Sequence, residues 1–167
     1  MPVDLAAVYE AYFSKIYNFI FYRVMHKEIA EDLVSTTFLK VAEKFHTFDP
    51  KKGSVAAWIF AIAQNTLNDY FRSRYVTASL DEVMDSLTGS VDFEEQSRLI
   101  QDETRQELYR ALSKLDDRTR EIISQKYFLD RTIREIALDI DMNESTVSTI
   151  HNRGLEKLRK HMGDFEL

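Results

Sequence analysis

Hydrophobic positions along this chain recur mostly at intervals of three and four, the period of a helix. From residue 4 to 26 the series is Leu5, Val8, Tyr9, Tyr12, Phe13, Ile16, Tyr17, Ile20 and Phe21, with Asp4 placed to cap it. A second helix is predicted over residues 27–45, with Ile29, Leu33, Val34, Phe38, Val41 and Phe45 inward. The stretch HTFDPKKGS then breaks the period, and Asp49-Pro50 and Gly53 mark a loop. Ser54 is placed to cap a third helix that runs to about Arg74 and turns Trp58, Ile62 and Leu67 inward.

Residues 77–93 are polar and acidic with no sustained period, and read as a linker with a short helical turn around residues 80–87. Beyond it, Leu99, Leu108, Leu112 and Leu115 predict a helix from residue 94 to Lys114. Asp116-Asp117 caps the next, which holds Ile122, Ile123 and Tyr127 inside. Asp130-Arg131 makes a turn, and Thr132 with Glu135 forms a capping box ahead of Ile133, Ile136, Ala137 and Ile140. After a turn at Asp141-Met142, Asn143 caps a last helix that carries Val147, Ile150, Leu155 and Leu158 to about Met162. The fold class is all-α: a domain over residues 1–76, a linker over 77–93 and a second domain over 94–167.

The two short helices within residues 132–160, joined by a tight turn, have the form of a helix-turn-helix, which places its second helix in the major groove of DNA. A turn this short makes the helices cross steeply, and small Ala137 lets them approach. The outer face of the last helix carries Glu144, Ser145, Ser148, Thr149, Asn152 and Arg153, groups that meet base edges or phosphates. Arg153, Lys157, Arg159 and Lys160 continue it as a basic end. The alternative is a helical hairpin with a solvated polar face, because terminal cations also complement a helix dipole. Acidic Glu144, and a central STIHN without Lys or Arg, weigh against DNA.

Charge narrows the picture further. The net charge is −6, which disfavours strong nonspecific DNA binding. It is spread unevenly: +1 over residues 1–77, −5 over 78–115 and −2 over 116–167. DNA contact must therefore come from local basic patches. Two stretches of the first domain hold chemistry. Lys51 and Lys52 sit in the loop, and the third helix ends in Tyr70, Phe71, Arg72, Arg74 and Tyr75, aromatics beside cations that suit unpaired bases. Asn65, Asn68 and Asp69 add hydrogen-bonding capacity. On local pattern alone the simpler reading, Tyr70 and Phe71 closing a core with solvated arginines, is preferred. Glu28, Glu31 and Asp32 form an acidic cluster that either complements a helix N-terminus or docks a basic surface.

Other functions find little support. Cysteine is absent, so no disulfide or thiolate metal site is expected, and His26, His46, His151 and His161 are scattered. No cofactor, metal or catalytic set is expected, and the chain does not read as an enzyme. Neither a signal peptide nor an apolar run of membrane-spanning length is evident, so a cytoplasmic protein without membrane insertion is expected.

Taken together, AEDLVSTTFLKVAEKF (residues 30–45), AAWIFAIAQNTLNDYFRSR (56–74) and the block over residues 112–160 resemble bacterial RNA polymerase sigma factors of the extracytoplasmic-function type. The resemblance implies that the first domain is their region 2, which docks on the coiled coil of the polymerase's largest subunit and holds open the −10 promoter element. Glu31 and Asp32 match the acidic docking motif. Lys51, Lys52, Asn65, Asp69, Arg72 and Arg74 fall in the −10 zone. The second domain matches region 4, which reads the −35 element as duplex, and Ser145, Thr146, Ser148, Thr149, Asn152, Arg153 and Lys157 fall in that zone. The implied partners are core polymerase, promoter DNA and an anti-sigma factor. Ser35 departs from the usual Gln of the first motif. In the recognition helix Ser148, Thr149 and Ile150 stand where Lys and Arg are common, His151 occupies a usually apolar position, and Gly154 sits in the helix interior. Two rival readings stay open: a stand-alone helix-turn-helix regulator, and a degenerate sigma-like interaction protein.

Overall fold

A computed structural model describes residues 4–80 and 92–162, the last six residues of the first segment by backbone alone. The helices are α1 (Leu5–Val24), α2 (Lys27–Lys44), α3 (Val55–Leu80), α4 (Phe93–Arg98), α5 (Glu103–Ser113), α6 (Asp117–Phe128), α7 (Ile133–Asp139) and α8 (Glu144–Met162), with a 3-10 turn at Phe45–Thr47. Among the described residues there is no strand. The chain clusters into two units, one of residues 1–20 and 27–91, the other of 21–26 and 92–167.

In the first unit Asp4 Oδ1 accepts from the Ala6 amide at 3.2 Å. The buried side chains are Val8, Ile16, Phe19 and Ile20 of α1, Ala30, Val34, Thr37 and Val41 of α2, and Ile59, Phe60, Ile62, Ala63 and Leu67 of α3. The α2 stripe is therefore turned by about one position from the expected one. Ile29, Leu33 and Phe38 flank it half-buried. Thr37 tolerates burial because its hydroxyl donates to the Leu33 carbonyl at 2.8 Å. Leu5 and Tyr9, members of the apolar series of α1, are 37% and 47% exposed. Tyr9 instead sets its ring edge-on to Phe38 at 4.9 Å.

Ser54 caps α3 as expected, its hydroxyl accepting from the Ala57 amide at 3.1 Å. The helix runs to Leu80, six residues past the expected end at Arg74. Helical structure thus occupies Thr77 to Leu80 and resumes at Phe93, at both ends of the stretch read as linker. The turn expected around residues 80–87 lies, apart from Leu80, outside the described residues. Trp58 is not core: it is half-buried, its ring 5.3 Å from Phe48 and 6.4 Å from Phe45, against the loop.

In the second unit the single helix expected from residue 94 to Lys114 is two. Asp102 starts α5 by accepting from the Arg105 amide at 3.0 Å. The carboxamide of Gln106 donates to the carbonyls of Ser97 and Ile100 at 2.8 and 3.1 Å, closing α4. Leu99, whose spacing predicted the single helix, is 51% exposed in this break. Each later helix begins at the polar residue expected of it: Asp116, Thr132 and Asn143 accept from the amides of Thr119, Glu135 and Ser145 at 2.8, 3.1 and 2.8 Å. Tyr109 is fully buried in this unit, its hydroxyl donating to the Met25 carbonyl, and burial raises its pKa.

Ile122, Ile136, Ala137 and Val147 form the cluster joining α6, α7 and α8, with Ile133, Ile140, Met142 and Ile150 packed around it. Ala137 is 3% exposed, consistent with the need for a small residue. The turn between α7 and α8 is made by Asp141 at φ 54°, a left-handed conformation that a short polar residue adopts at modest cost. The Met142 amide then returns to the Ala137 carbonyl at 2.9 Å. Gly154 has a packing reason. A Cβ there would lie 2.6 Å from Thr119 Cγ2 and 2.8 Å from Ile123 Cδ1, so its hydrogen lets α8 press against α6.

Two stability predictions follow from these contacts. Gly154→Ala gains about 1 kcal/mol of helix propensity, but overpacking costs about 1–3 kcal/mol or more. The expected net is a loss of up to about 2 kcal/mol, a fall of up to roughly 10 °C in thermal midpoint, read by circular dichroism and partly reversed by adding Thr119→Ser. Asp116→Ala is expected to cost about 1 kcal/mol at neutral pH. The Asp116 pKa is lowered from 3.8, chiefly by the Thr119 amide. Its cap is therefore fully present above pH 3.8 and lost as pH falls through the lower folded value. The difference between wild type and variant, read by urea melts, should shrink in that acid range.

Candidate nucleic-acid interface

The first candidate surface lies where α2 and α3 run side by side. Lys40 and Lys44 of α2 and Ile62, Asn65, Asn68, Asp69 and Arg72 of α3 line one open cleft of about 320 Å³. Positions 65, 68, 69 and 72 recur at helical spacing, so one face of α3 collects them. The cleft therefore brings together three residues expected at the −10 zone, Asn65, Asp69 and Arg72. It adds two lysines that the sequence reading passed over. The signal was there: Lys40 and Lys44 are four apart, on one side of α2.

Asp69 holds this surface together. Its carboxylate lies 3.8 Å from Lys40 Nζ and 3.3 Å from Arg72 Nη1. Lys40 also donates to Thr66 Oγ1 at 3.3 Å, and that hydroxyl in turn donates to the Ile62 carbonyl at 2.9 Å. A carboxylate repels phosphate, so its chemistry here is to fix two cations beside the amides of Asn65 and Asn68. Arg74 is placed differently. Its guanidinium donates to the Tyr70 hydroxyl at 2.9 Å and stands 5.6 Å from that ring.

Lys51 and Lys52 are exposed on the loop, outside this cleft. Asp49 shapes the loop: its Oδ1 accepts from the Lys51 amide and its carbonyl from the Lys52 amide, both at 3.0 Å. Lys52 lines a second depression, of about 430 Å³, with Phe48, Gly53, Ser54, Ala57 and Trp58. The half-buried indole is thus an aromatic wall beside a cation, a surface able to stack a planar ring. Glu31 and Asp32 are exposed near the start of α2, and Glu31 lies 4.0 Å from Lys27.

The second candidate surface is the outer face of α8. Ser145, Thr146, Thr149, Asn152, Arg153 and Lys157 are exposed, and Ser148 is half-buried. Two hydroxyl protons are already committed: Ser145 Oγ donates to Asn143 Oδ1 at 2.7 Å and Thr149 Oγ1 to the Ser145 carbonyl at 2.9 Å. Both oxygens are left as acceptors, which suits base amino groups better than phosphate. Glu144 lies 4.0 Å from Arg134 of α7, so the acid that starts this face has a neighbouring cation. Gln125 holds both ends of α7: its Oε1 accepts from Arg131, just before the helix, at 3.1 Å, and its Nε2 donates to Asp139, the last helical residue, at 3.3 Å.

Tyr127 is the residue on which the sequence misled most. Tyr127, expected in the core, is 49% exposed. Its hydroxyl is 2.8 Å from Nε2 of His151, which is itself only 8% exposed, and the two rings stack at 5.6 Å. Nδ1 of the same imidazole lies 3.1 Å from Asn152 Oδ1. Partial burial raises the Tyr127 pKa, against an opposing contribution from Arg159.

A polar cleft on one helical unit and a capped recognition helix on the other match known proteins in the same order. The sigma-70 region 2 family matches residues 8–76 and the sigma-70 region 4 family residues 111–160. The sigma factor RpoE of Cereibacter sphaeroides is 33% identical over 138 residues, covering 81% of this chain and 71% of that protein. The chain belongs to the extracytoplasmic-function RNA polymerase sigma factors of the sigma-70 family. SigX of Bacillus subtilis is 29% identical over 97% of this chain and 85% of its own length. A crystal structure of the sigma factor RpoE with the anti-sigma factor NepR from Bartonella quintana shares the fold, with a TM-score of 0.69 at 20% identity over 96% of this chain and 98% of that one. This sigma factor is all-helical in its described residues. No described helix is long and apolar enough to cross a membrane, and no described group of three or more His, Asp or Glu is placed to hold a metal.

The lysines that complete the cleft give a direct measurement. With holoenzyme on a promoter fragment, Lys40→Ala with Lys44→Ala should weaken binding and reduce the slope of log K against log salt by about 1–2. An unchanged slope would place the cleft off the DNA.

Proposed function

We propose that this sigma factor initiates transcription through two surfaces, one on a region 2 segment over residues 1–76 and one on a region 4 segment over 94–167, with 77–93 as the connection. In this reading Glu31 and Asp32 dock α2 onto the coiled coil of the polymerase's largest subunit. Lys51, Lys52, Asn65, Asp69, Arg72 and Arg74 serve the −10 element. Asp69 acts there as the fixed counter-charge of Lys40 and Arg72 rather than as a contact to phosphate. Ser145, Thr146, Ser148, Thr149, Asn152, Arg153 and Lys157 serve the −35 element.

The observation that carries this reading is the clustering of cations and amides on one face of α2 and α3, away from the acidic N-terminal turns of α2. Opposite charge at the two ends of one helix suits a protein partner at one and DNA at the other. The net charge of −6 leaves general phosphate affinity to the polymerase, so free factor would not occupy promoters. Stacking of unpaired bases beside Trp58 and Lys52 offsets part of the cost of melting. The protein performs no covalent step, works in the cytoplasm and is held off polymerase by an anti-sigma protein covering the same faces.

The experiment is reconstituted transcription with core polymerase. Wild type should bind core and start transcripts at discrete sites on native promoter fragments. Glu31→Lys with Asp32→Lys should abolish core binding while the far-ultraviolet circular dichroism stays unchanged. Core binding that survives this charge reversal would move the docking surface elsewhere.

A further inference from the structure

Phe21 to Met25 pack as part of the second unit, although they lie inside the stretch, residues 8–76, that matches region 2. All of them are buried, from Met25 at 1% exposed to Phe21 at 7%. The Tyr22 ring stacks on Phe128 of α6 at 5.0 Å with the planes 7° apart, and the Phe21 ring lies 5.6 Å from that of Tyr109 of α5. Arg23 donates through Nη1 to Asp117 Oδ1 at 2.8 Å, and Arg120 approaches the same oxygen at 3.6 Å. The Tyr109 hydroxyl donates to the Met25 carbonyl. Met25 itself stands at φ 59°, a left-handed conformation that is uncommon for a residue with a side chain and persists where its surroundings fix it. A short run of the region 2 segment is thus held by stacking, an ion pair and a hydrogen bond from α5 and α6.

The consequence is one of reach. Phe21 is bonded to Ile20, which belongs to the first unit. While Phe21 to Met25 stay in place, the two DNA-facing surfaces are separated by no more than the lengths of the units themselves. The long helices α3, of 26 residues, and α8, of 19 residues, measure roughly 39 and 29 Å, about 68 Å laid end to end. Elements at −10 and −35 lie about 25 base pairs apart, roughly 85 Å of duplex. Once Phe21 to Met25 leave, residues 81–91 connect the units and add up to about 40 Å when extended, which covers the difference. We propose that Phe21 to Met25 form an autoinhibitory latch, held by Tyr109, Asp117 and Phe128 in the free factor and released when both promoter elements are engaged. This rests on the reading of the two surfaces as −10 and −35 contacts. Release exposes two aromatic rings and separates Arg23 from its carboxylate, so the open form of the free factor is the minor one. The apparent affinity for promoter is lowered by the fraction that is open.

The test uses the full chain with core polymerase and a promoter fragment carrying both elements. The chain has no cysteine, so Arg23→Cys with Asp117→Cys places its only two thiols across the latch. A short bismaleimide with a reducible spacer should join them in the free factor, and roughly tenfold less in promoter-bound holoenzyme, read by peptide mass spectrometry of the sigma chain. Crosslinked before core is added, the factor should give roughly tenfold fewer transcripts than the same variant without crosslinker, and reduction of the spacer should restore them. Asp117→Asn leaves the Asp116 cap of α6 in place and removes the charge that holds Arg23. It should lower the factor concentration for half-maximal transcription by about fivefold, and it provides the reading if the double-cysteine variant fails to fold. Equal crosslinking in free and promoter-bound factor, full activity of the crosslinked factor, or a half-maximal concentration that stays put or rises in Asp117→Asn overturns the latch. A wild type that starts no transcripts with core overturns the −10 and −35 reading itself, whereas an active wild type with an equally active crosslinked factor overturns this inference alone.

Discussion

The recognition helix depends on a close approach. Gly154 has no side chain where Thr119 Cγ2 and Ile123 Cδ1 would meet one, so α8 presses against α6. The cluster of Ile122, Ile136, Ala137 and Val147 fills the corner about two turns away along α8. Interiors packed at crystal-like density move in steps, not smoothly, so this contact sets the axis about which α8 presents its outer face. The glycine costs helix propensity, and the close approach compensates by burying Val147 fully. The placement of the exposed face from Ser145 to Lys157 follows from where that axis lies.

The same economy of fixed groups recurs on the first unit. Asp69 touches Lys40 and Arg72 from two helices, and Thr66 Oγ1 accepts a hydrogen bond from Lys40. These pairs are exposed and contribute little to stability. Their effect is orientation: two long cations that would otherwise sample many rotamers are biased toward one cleft beside two asparagines. On α8 the corresponding contacts run from Tyr127 to His151 and from His151 to Asn152. Both surfaces place an intermediary next to the group that would meet DNA.

Much of the local architecture could be read directly. Asp4, Ser54, Asp116, Thr132 and Asn143 each head the helix expected of them, because capping is a contact between residues two or three apart. The capped turn ahead of α8 and the small residue at Ala137 were legible for the same reason. Misreadings concern contacts that span helices. Leu99 has the spacing of a core residue, yet it is exposed because Gln106 and Asp102 end one helix and start another around it. Tyr127 and Trp58 look apolar, but one faces outward to meet an imidazole and the other faces a loop. The α2 stripe turned by about one position because the side that packs on α3 is chosen by α3.

The amino-acid order alone determined which segments are helical, where most begin, and that the chain carries an acidic patch, a basic cleft half and a polar recognition face. These are properties of near neighbours and of periodicity, which a linear pattern contains. Tertiary packing alone decided why residue 154 must be glycine, which lysines join Asn65 and Arg72, and that His151 touches both Tyr127 and Asn152. Apart from the contact between neighbours His151 and Asn152, each of these joins residues more than twenty positions apart, and the distance between such positions is set only when helices close on one another.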